Sequence, residues 1–466
     1  MKRKPPSPPS PSPPSPAPLP APVPMAGRQF ADPRPGADES TFQVDNTSSA
    51  YYNSPYYLAH QNQLQPVPKP GLADPVLTLE SVIGSAACAA IQAAERIVFH
   101  ATGDTGAAKV SASQPAVVAL RNQGTVADAM AAEVVSGGPD GPAFFFHLGD
   151  IIYNFGEGQY YYDQFYEPYR AYDRPIFAIP GNHDGVVFGA NADVPQLPSL
   201  QAFLRNFCAA APGPSPDAGG LVRSVMTQPG VYFTLDAPFV SIIGLYSNVL
   251  EGPGVISSQG GHYPIDDSQL DFLKAELARL KPEHDAGQRA VIIAVHHPPA
   301  SVDSKHGGST GLAADIDAAC TASGLWPEAV LSGHAHLYQR FARAVPGLAH
   351  PIPYVVCGSG GFAVTPPMGG SPPAGTTVGD YTLVIPPLMD FGYLTLTVDL
   401  STAQGTLTIS FRSPTQVNEH DSVTVPLPSA HAARPLKASS GSASVAGSHR
   451  HGAVAAAKGR PPHGRR

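Results

Sequence analysis

The chain reads as an α/β protein flanked by two segments that cannot build a core, and three observations support that class. Between residues 97 and 179, short apolar runs alternate with stretches of helical spacing, the rhythm of parallel βαβ units. Most of those runs close on Gly followed by Asp, Asn or His, so polar residues collect where strands give way to loops. The two ends have a different composition. Twelve of the first 24 residues are proline, and the chain from Ala430 carries seven Lys/Arg and no Asp or Glu. Such segments favour extended or disordered chain. The expected organisation of the 466 residues is therefore a Pro-rich segment at 1–75, one folded domain at 76–426 and a basic tail at 427–466.

The elements follow in order. Val76 to Ala94 is Ala-rich, contains Glu80 and reads as a helix; it comes closest to an apolar span but is not one. Ile97 to Thr102 is a strand that runs into Gly103-Asp104-Thr105-Gly106. Val117 to Val135 has helical spacing. The apolar run from Phe144 to Tyr153 is a buried strand broken by Gly149-Asp150. A Tyr-rich helix is expected over Gln159 to Tyr172, then a strand over Pro175 to Ile179 that closes on Gly181-Asn182-His183-Asp184. Residues 185–230 form an insertion with one helix, Leu197 to Cys208. The second half adds strands at Val231 to Leu235, Phe239 to Leu245 and Ala290 to Val295. A helix is expected from Asp266 or Asp267 to about Leu280, and another over Leu312 to Cys320. Further strands are expected before Gly333-His334-Ala335-His336 and over Tyr354 to Cys357, Tyr393 to Val398 and Thr406 to Phe411. The Gly/Pro-rich stretch 358–389 reads as a pocket rim.

Charge and cysteine narrow the function classes. The formal net charge is −8, but outside the two basic ends 17 Lys/Arg face 36 Asp/Glu. An acidic body argues against a nucleic-acid-binding face, and it accepts an anionic substrate only if bound cations invert the local field. The four cysteines form no CxxC pair and read as buried apolar residues. Proline stands where a secretory signal would need an apolar stretch, so the default compartment is the cytoplasm.

Asp104, Asp150, Asn182, His296, His334 and His336 all stand at strand-to-loop transitions, and all are metal-binding types. Singly each has a plain structural reading: helix caps for the aspartates, a turn for Asn182, loop surface for His296 and His297. Jointly, five motifs in order are those of a centre in which one carboxylate, Asp150 on the central strand, is shared between two cations.

The set Gly103-Asp104-x-Gly106, Gly149-Asp150-x-x-Tyr153, Gly181-Asn182-His183-Asp184, Ile293-x-x-His296 and Gly333-His334-x-His336 resembles the calcineurin-like metallophosphoesterases, over roughly residues 95–412. Within them it is similar to the purple acid phosphatase branch. The common Asp-x-His of the first motif is here Asp104-x-Gly106, and Tyr153 stands where that branch supplies a phenolate. The resemblance implies a four-layer α/β/β/α sandwich of two mixed sheets. It also implies a first metal on Asp104, Tyr153 and His336, a second on Asn182, His296 and His334, and Asp150 between them. Iron(III) is expected at the first site and divalent iron, zinc or manganese at the second. His183 would bind the phosphate or protonate the leaving group, with Asp184 orienting it, and His297 and His306 would line the pocket. A metal-bound water, deprotonated near neutral pH, would be the nucleophile. The implied activity is hydrolysis of phosphate monoesters of small molecules. Phosphodiester or nucleotide hydrolysis on the same core, and a non-catalytic scaffold using the Pro-rich segment, are the alternatives. Departures from the branch are Ile293 for its usual Val, Asp184 for its frequent Glu, and the missing secretory signal.

Overall fold

The computed structural model describes residues 67–429 except 107–120, 154–155, 157, 186–199, 222, 248–253, 260–264, 364–366, 368 and 415–419. The Pro-rich segment up to residue 66 and the basic tail from 430 lie outside the described residues, as does the first part of the 185–230 insertion.

Two mixed sheets carry the fold. One has six strands in the order β15 (Asp421–Pro426), β14 (Thr406–Arg412), β13 (Tyr393–Asp399), β2 (Arg96–Thr102), β3 (Phe145–His147) and β4 (Ile176–Ala178). The other has nine, in the order β1 (Val76–Thr78), β5 (Phe233–Ala237), β6 (Val240–Leu245), β7 (Ala290–Val295), β8 (Ala329–Ser332), β10 (Ile352–Cys357), β9 (Tyr338–Arg343), β12 (Tyr381–Leu383) and β11 (Thr377–Val378). In the first, β2 (Arg96–Thr102), β3 (Phe145–His147) and β4 (Ile176–Ala178) are parallel, and β13 (Tyr393–Asp399) joins β2 antiparallel. In the second, β6 (Val240–Leu245), β7 (Ala290–Val295), β8 (Ala329–Ser332) and β10 (Ile352–Cys357) run parallel.

Alternation along these strands builds the layers, because successive side chains point to opposite faces. Phe99, Phe144, Phe146 and Phe177 of one sheet meet Ile242, Ile292, Ala294 and Leu331 of the other in a core between the sheets. Phe145, Ile176 and Ala178 face outward, onto Val126 and Met130 of the helix Arg121–Gly137 and the ring of Tyr169. On the far side, Ile243, Val291 and Ile293 pack on Leu273 and Leu277 of the helix Ser268–Asp285 and Ile316 of the helix Thr310–Ser323. The result is the expected four-layer α/β/β/α sandwich, and the parallel strands of both sheets end on one rim.

Several local expectations differ. Val76 to Ala94 is not one helix: Val76–Thr78 is strand β1, parallel to β5 (Phe233–Ala237). Gly84, at φ +86°, then separates the helices Leu79–Ile83 and Ser85–Ala94. The run from Phe144 is a strand only over Phe145–His147, because beyond Leu148 the chain peels off into the Gly149-Asp150 loop. The Tyr-rich segment is irregular, a 3₁₀ turn at Gly158–Tyr160 and a π turn at Tyr162–Tyr166. The helix from Ser268 continues past Leu280 to Asp285 through Pro282. There His284, on its inner face, meets Glu328 at 3.0 Å. The 358–389 stretch contains β11 (Thr377–Val378) and β12 (Tyr381–Leu383), which extend the nine-stranded sheet. All four cysteines are free; Cys88, Cys320 and Cys357 are buried and Cys208 is half-buried. Among the described residues no helix is long and apolar enough to cross a membrane.

Candidate metal centre

The shared rim collects the polar residues. Asp104 follows β2, Asp150 follows β3, Asn182 and His183 follow β4, His296 follows β7, and His334 and His336 follow β8. Backbone bonds lock these loops to one another: Asp104 N–H donates to Gly149 O (2.9 Å), Thr105 N–H to Asp150 O (3.1 Å) and Gly333 N–H to His296 O (3.0 Å). Three of the polar residues, Asp104, Asp150 and His334, sit at φ +58°, +53° and +66°. Non-glycine residues in the left-handed region cost energy and persist where the surroundings impose them. The glycines of the motifs allow this crowding. A Cβ on Gly149 would lie 2.6 Å from His296 Nδ1, and one on Gly181 would collide with the Asp150 carboxylate.

Side-chain atoms converge in two groups that share Asp150. In one, Asn182 Oδ1 lies 3.1 Å from His296 Nε2 and 3.1 Å from His334 Nδ1, with Asp150 Oδ2 3.4 Å from His296 Nε2. Asp150, His296 and His334 offer ligand atoms within 4.8 Å of one another. In the other, the Tyr153 hydroxyl donates to Asp104 Oδ1 and Asp150 Oδ2, both at 2.9 Å, and lies 3.3 Å from His336 Nε2. His336 Nε2 is itself 3.4 Å from Asp104 Oδ1. The ring of Tyr153 stacks on Phe362 at 3.6 Å, and its backbone is held by Gln164 through bonds of 2.8 and 2.7 Å. The Tyr-rich segment therefore anchors Tyr153 while its hydroxyl turns to the rim. Gly106 leaves no room for a histidine, since a Cβ there would lie 2.8 Å from the Tyr153 ring.

The electrostatics favour positive charge at both groups. Burial alone would raise the Asp150 carboxyl, yet His296 and His183 hold it well below the usual carboxylate range. Burial would lower His296, but Asp150 and Asp104 raise it to about 9. With Nδ1 2.8 Å from the Leu148 carbonyl, His296 donates there and keeps its second proton at Nε2, between Asp150 and Asn182. Burial, then the two carboxylates, push the Tyr153 phenol well above its ordinary value of 10. Each group thus holds one proton among oxygen and imidazole acceptors, where a cation would stand instead. Carboxylate, amide oxygen, phenol and imidazole suit hard or borderline cations, so the residues fit a metal centre.

The remaining candidates surround these groups. The His183 backbone N–H donates to Asp150 Oδ1 at 2.9 Å, and its ring lies 4.4 Å from Tyr153. Asp184 receives the N–H groups of Gly181 (2.8 Å) and Ile151 (3.1 Å), bracing the Asn182 loop against the Asp150 loop. Burial, then Asp150, raise its carboxyl to about 7. The rings of His297 and His306 lie 4.2 and 4.3 Å from His334. Burial and these neighbouring histidines hold His334 well below its ordinary value.

Four further residues escaped the sequence reading. His147 accepts from Gly149 N–H (3.2 Å) and meets Thr105 Oγ1 (2.9 Å), and burial, then His296, lower it to about 3. A histidine inside the apolar run Phe144 to Leu148 was its only signal. Ser247 Oγ meets His297 Nδ1 at 3.0 Å. Asp303 and Phe362 reach the site from loops with no readable motif.

The model of the calcineurin-like phosphoesterase family matches residues 98–338, which include every one of the residues just described except Phe362. The chain belongs to that family. Its members are dimetal-dependent, and the Asp150, His296 and His334 cluster is a candidate site for such metals. No curated protein matches the chain by sequence. Solved structures similar to it include GAP50, the anchor in the inner membrane complex of Plasmodium (14% identity, 71% of this chain and 89% of that one, TM-score 0.49). Others are the purple acid phosphatase PPD1 from yellow lupin (Lupinus luteus) seeds (15% identity, 71% and 54%, TM-score 0.46) and a dimetal phosphatase from Danio rerio (12% identity, 71% and 99%, TM-score 0.38). Likenesses this distant carry no argument about the chemistry of this family member.

Proposed function

We propose that the chain hydrolyses phosphate monoesters at a two-metal centre of the purple acid phosphatase type. The observation that carries this reading is the convergence of two sets of oxygen and imidazole ligand atoms on one shared carboxylate, Asp150. Asn182, His296 and His334 would hold one metal, Asp104, Tyr153 and His336 the other. Two cations bound there supply activation of the nucleophile and neutralisation of phosphoryl charge, the main needs of phosphoryl transfer.

The chain's own residues do the rest. His183, held through its backbone by Asp150, offers a ring for the phosphate oxygens or for protonating the leaving alkoxide. His297 and His306 flank the same space. Asp303 positions His306: its buried carboxylate receives the N–H groups of Lys305 (3.0 Å), His306 (2.8 Å) and Gly307 (2.9 Å), and lies 3.1 Å from His306 Nδ1. Tyr153 separates this branch from the rest of the family, because its hydroxyl occupies the place among Asp104, Asp150 and His336 that residue 106 leaves unfilled. A phenolate so placed favours iron(III).

The test loads the purified chain with metals and measures cleavage of p-nitrophenyl phosphate beside a diester analogue. About two metal equivalents and faster monoester turnover are expected. Activity without metal, or preference for the diester, overturns the reading.

A further inference from the structure

The opposite end of the parallel strands carries a second feature that the metal chemistry does not use. The helix Ser85–Ala94 reads Ser-Ala-Ala-Cys-Ala-Ala-Ile-Gln-Ala-Ala, with no charge and one buried residue, Cys88. Ala87, Ala90 and Ala94 are exposed and Ile91 is half-buried. A helix apolar on every side normally lies in an interior. Here its outward face borders a cavity of about 500 Å³, closed on the other side by Ile97, Val98, Pro142 and Ala143.

A second cavity adjoins this one. Asp173, Arg174 and Pro175 line both, and the second has a volume of about 580 Å³. The second cavity is basic, with Arg170, Arg174 and Arg223 on its wall. Three carbonyl oxygens hold the Arg223 guanidinium: Tyr169 O (3.0 Å), Tyr172 O (2.9 Å) and Arg174 O (2.8 Å). These contacts use both Nη1 hydrogens and one on Nη2 and involve no carboxylate; among the described residues Asp173 is the carboxylate whose charge acts on this guanidinium. Arg174 pairs with Asp173 at 3.2 Å and Arg170 with Glu167 at 3.3 Å; Asp173 is largely solvated, the two arginines are part-exposed and Glu167 is mostly buried. Arg96 and Asp140, one charge of each sign, also line the first cavity. A cluster of three arginines in an acidic body, beside a mainly apolar trough with an uncharged helical wall, is complementary to a molecule with an anionic head and a hydrocarbon tail.

We infer that this groove binds a single-chain fatty acid, its carboxylate on Arg174 and Arg223 and its tail along Ala87, Ala90 and Ile91. Guanidinium groups pair with carboxylates through charge-assisted hydrogen bonds, and each cavity is of the size that small-ligand sites have. The strands β2, β3 and β4, which separate it from the metal centre, begin at Arg96, Phe145 and Ile176, beside the cavity-lining Arg96, Ala143 and Pro175, and end at the loops of that centre. At about 3.3 Å per residue the seven-residue β2 alone sets the two sites roughly 20 Å apart. The fatty-acid site is therefore independent of the phosphoesterase reading.

Calorimetric titration of the full metal-loaded chain with dodecanoate, below its micelle concentration, tests the inference. Saturable one-site binding is expected. Dodecanol, which lacks the charge, and acetate, which lacks the tail, should each bind about tenfold more weakly or worse. Arg174→Gln and Ala90→Asp, on the head and tail sides, should each weaken dodecanoate by about tenfold while leaving metal content and p-nitrophenyl phosphate turnover unchanged. Arg170→Gln serves as a second head-side variant if Arg174→Gln misfolds. Acetate binding as tightly as dodecanoate, equal binding by both variants, or no saturable binding overturns it. So does concentration-dependent self-association that Ala90→Asp abolishes and dodecanoate does not, since the occupant would then be a second copy.

Discussion

In the half of the centre built on Asn182, His296 and His334, the proton standing in for a cation sits on an imidazole raised to about 9. In the half built on Asp104, Tyr153 and His336, it sits on a phenol held well above 10 and bonded to two carboxylates at 2.9 Å. The first proton is the easier to displace near neutral pH, because a cation competes only against its own pKa. The second half satisfies its acceptors internally and must give up the bond that its single phenolic proton shares between two carboxylates when it is loaded. Similar donor density thus gives unequal readiness, and the difference lies in which side chain carries the proton.

The most severe way to break this comparison is to remove what the halves share. Asp150→Asn should abolish binding of both metals and lower kcat/KM by about a thousandfold or more, as loss of a principal electrostatic group does. Metal analysis decides it, and full occupancy in the variant would sink the bridging assignment. His183→Asn, by contrast, should keep both metals and lower kcat by about a hundredfold.

Tyr153→Phe separates the halves. The variant should lose about one metal equivalent while the Asn182 half stays loaded. The iron(III)-loaded protein should show a visible charge-transfer band that the variant lacks. A band that survives the substitution, or its absence in fully iron-loaded protein, would reassign the chain to the wider family with manganese or zinc.

A pH series sharpens the comparison. Below about pH 9, a cation entering the Asn182 half displaces the His296 proton, so apparent affinity should rise about tenfold per pH unit and then level off. Affinity at the Tyr153 half should go on rising above that pH, because the phenol is still protonated there. Chelator competition with zinc at several pH values reads both slopes, and a plateau at the same pH for both halves would contradict the proton assignments.

The smallest expected effect concerns regions outside both halves. A chain limited to residues 67–429 should keep kcat/KM within about twofold, since every residue of the site lies between them. A soluble, folded truncation with no activity would show that the Pro-rich segment or the basic tail contributes to the site.

The strands that carry the site were legible because each is a short apolar run bounded by Gly or Pro, a local signal. β2, β7 and β10 stand close to where the sequence placed them. Strands β1, β9 (Tyr338–Arg343), β12 and β15 (Asp421–Pro426) were not expected. They are polar or very short, and become strands only through a partner: β9 bonds to β10 along six residue pairs. The Tyr-rich helix failed for the opposite reason. Its spacing was helical, but Tyr160, Tyr161, Phe165 and Tyr166 are all buried, and seating that many rings against Gln164 and Tyr153 distorts the turns.

At the centre, the identity and order of Asp104, Asp150, Asn182, His296, His334 and His336 were present in the sequence, because a residue's donor atoms and its position after a strand are local properties. Which atoms meet was not. That Tyr153 turns its hydroxyl to Asp104 and Asp150, that Asp184 braces backbone amides, and that His147 and Asp303 hold loops around the site depend on two sheets closing onto one rim. The uncharged helix Ser85–Ala94 was likewise visible as an apolar run, while its exposed face across a cavity from Arg174 was not. Burial, and with it the shifted protons of His296 and Tyr153, arises only when residues distant in the chain exclude water together. The sequence by itself determined the donor set and the layers; the tertiary structure decided the environment that sets where each proton lies.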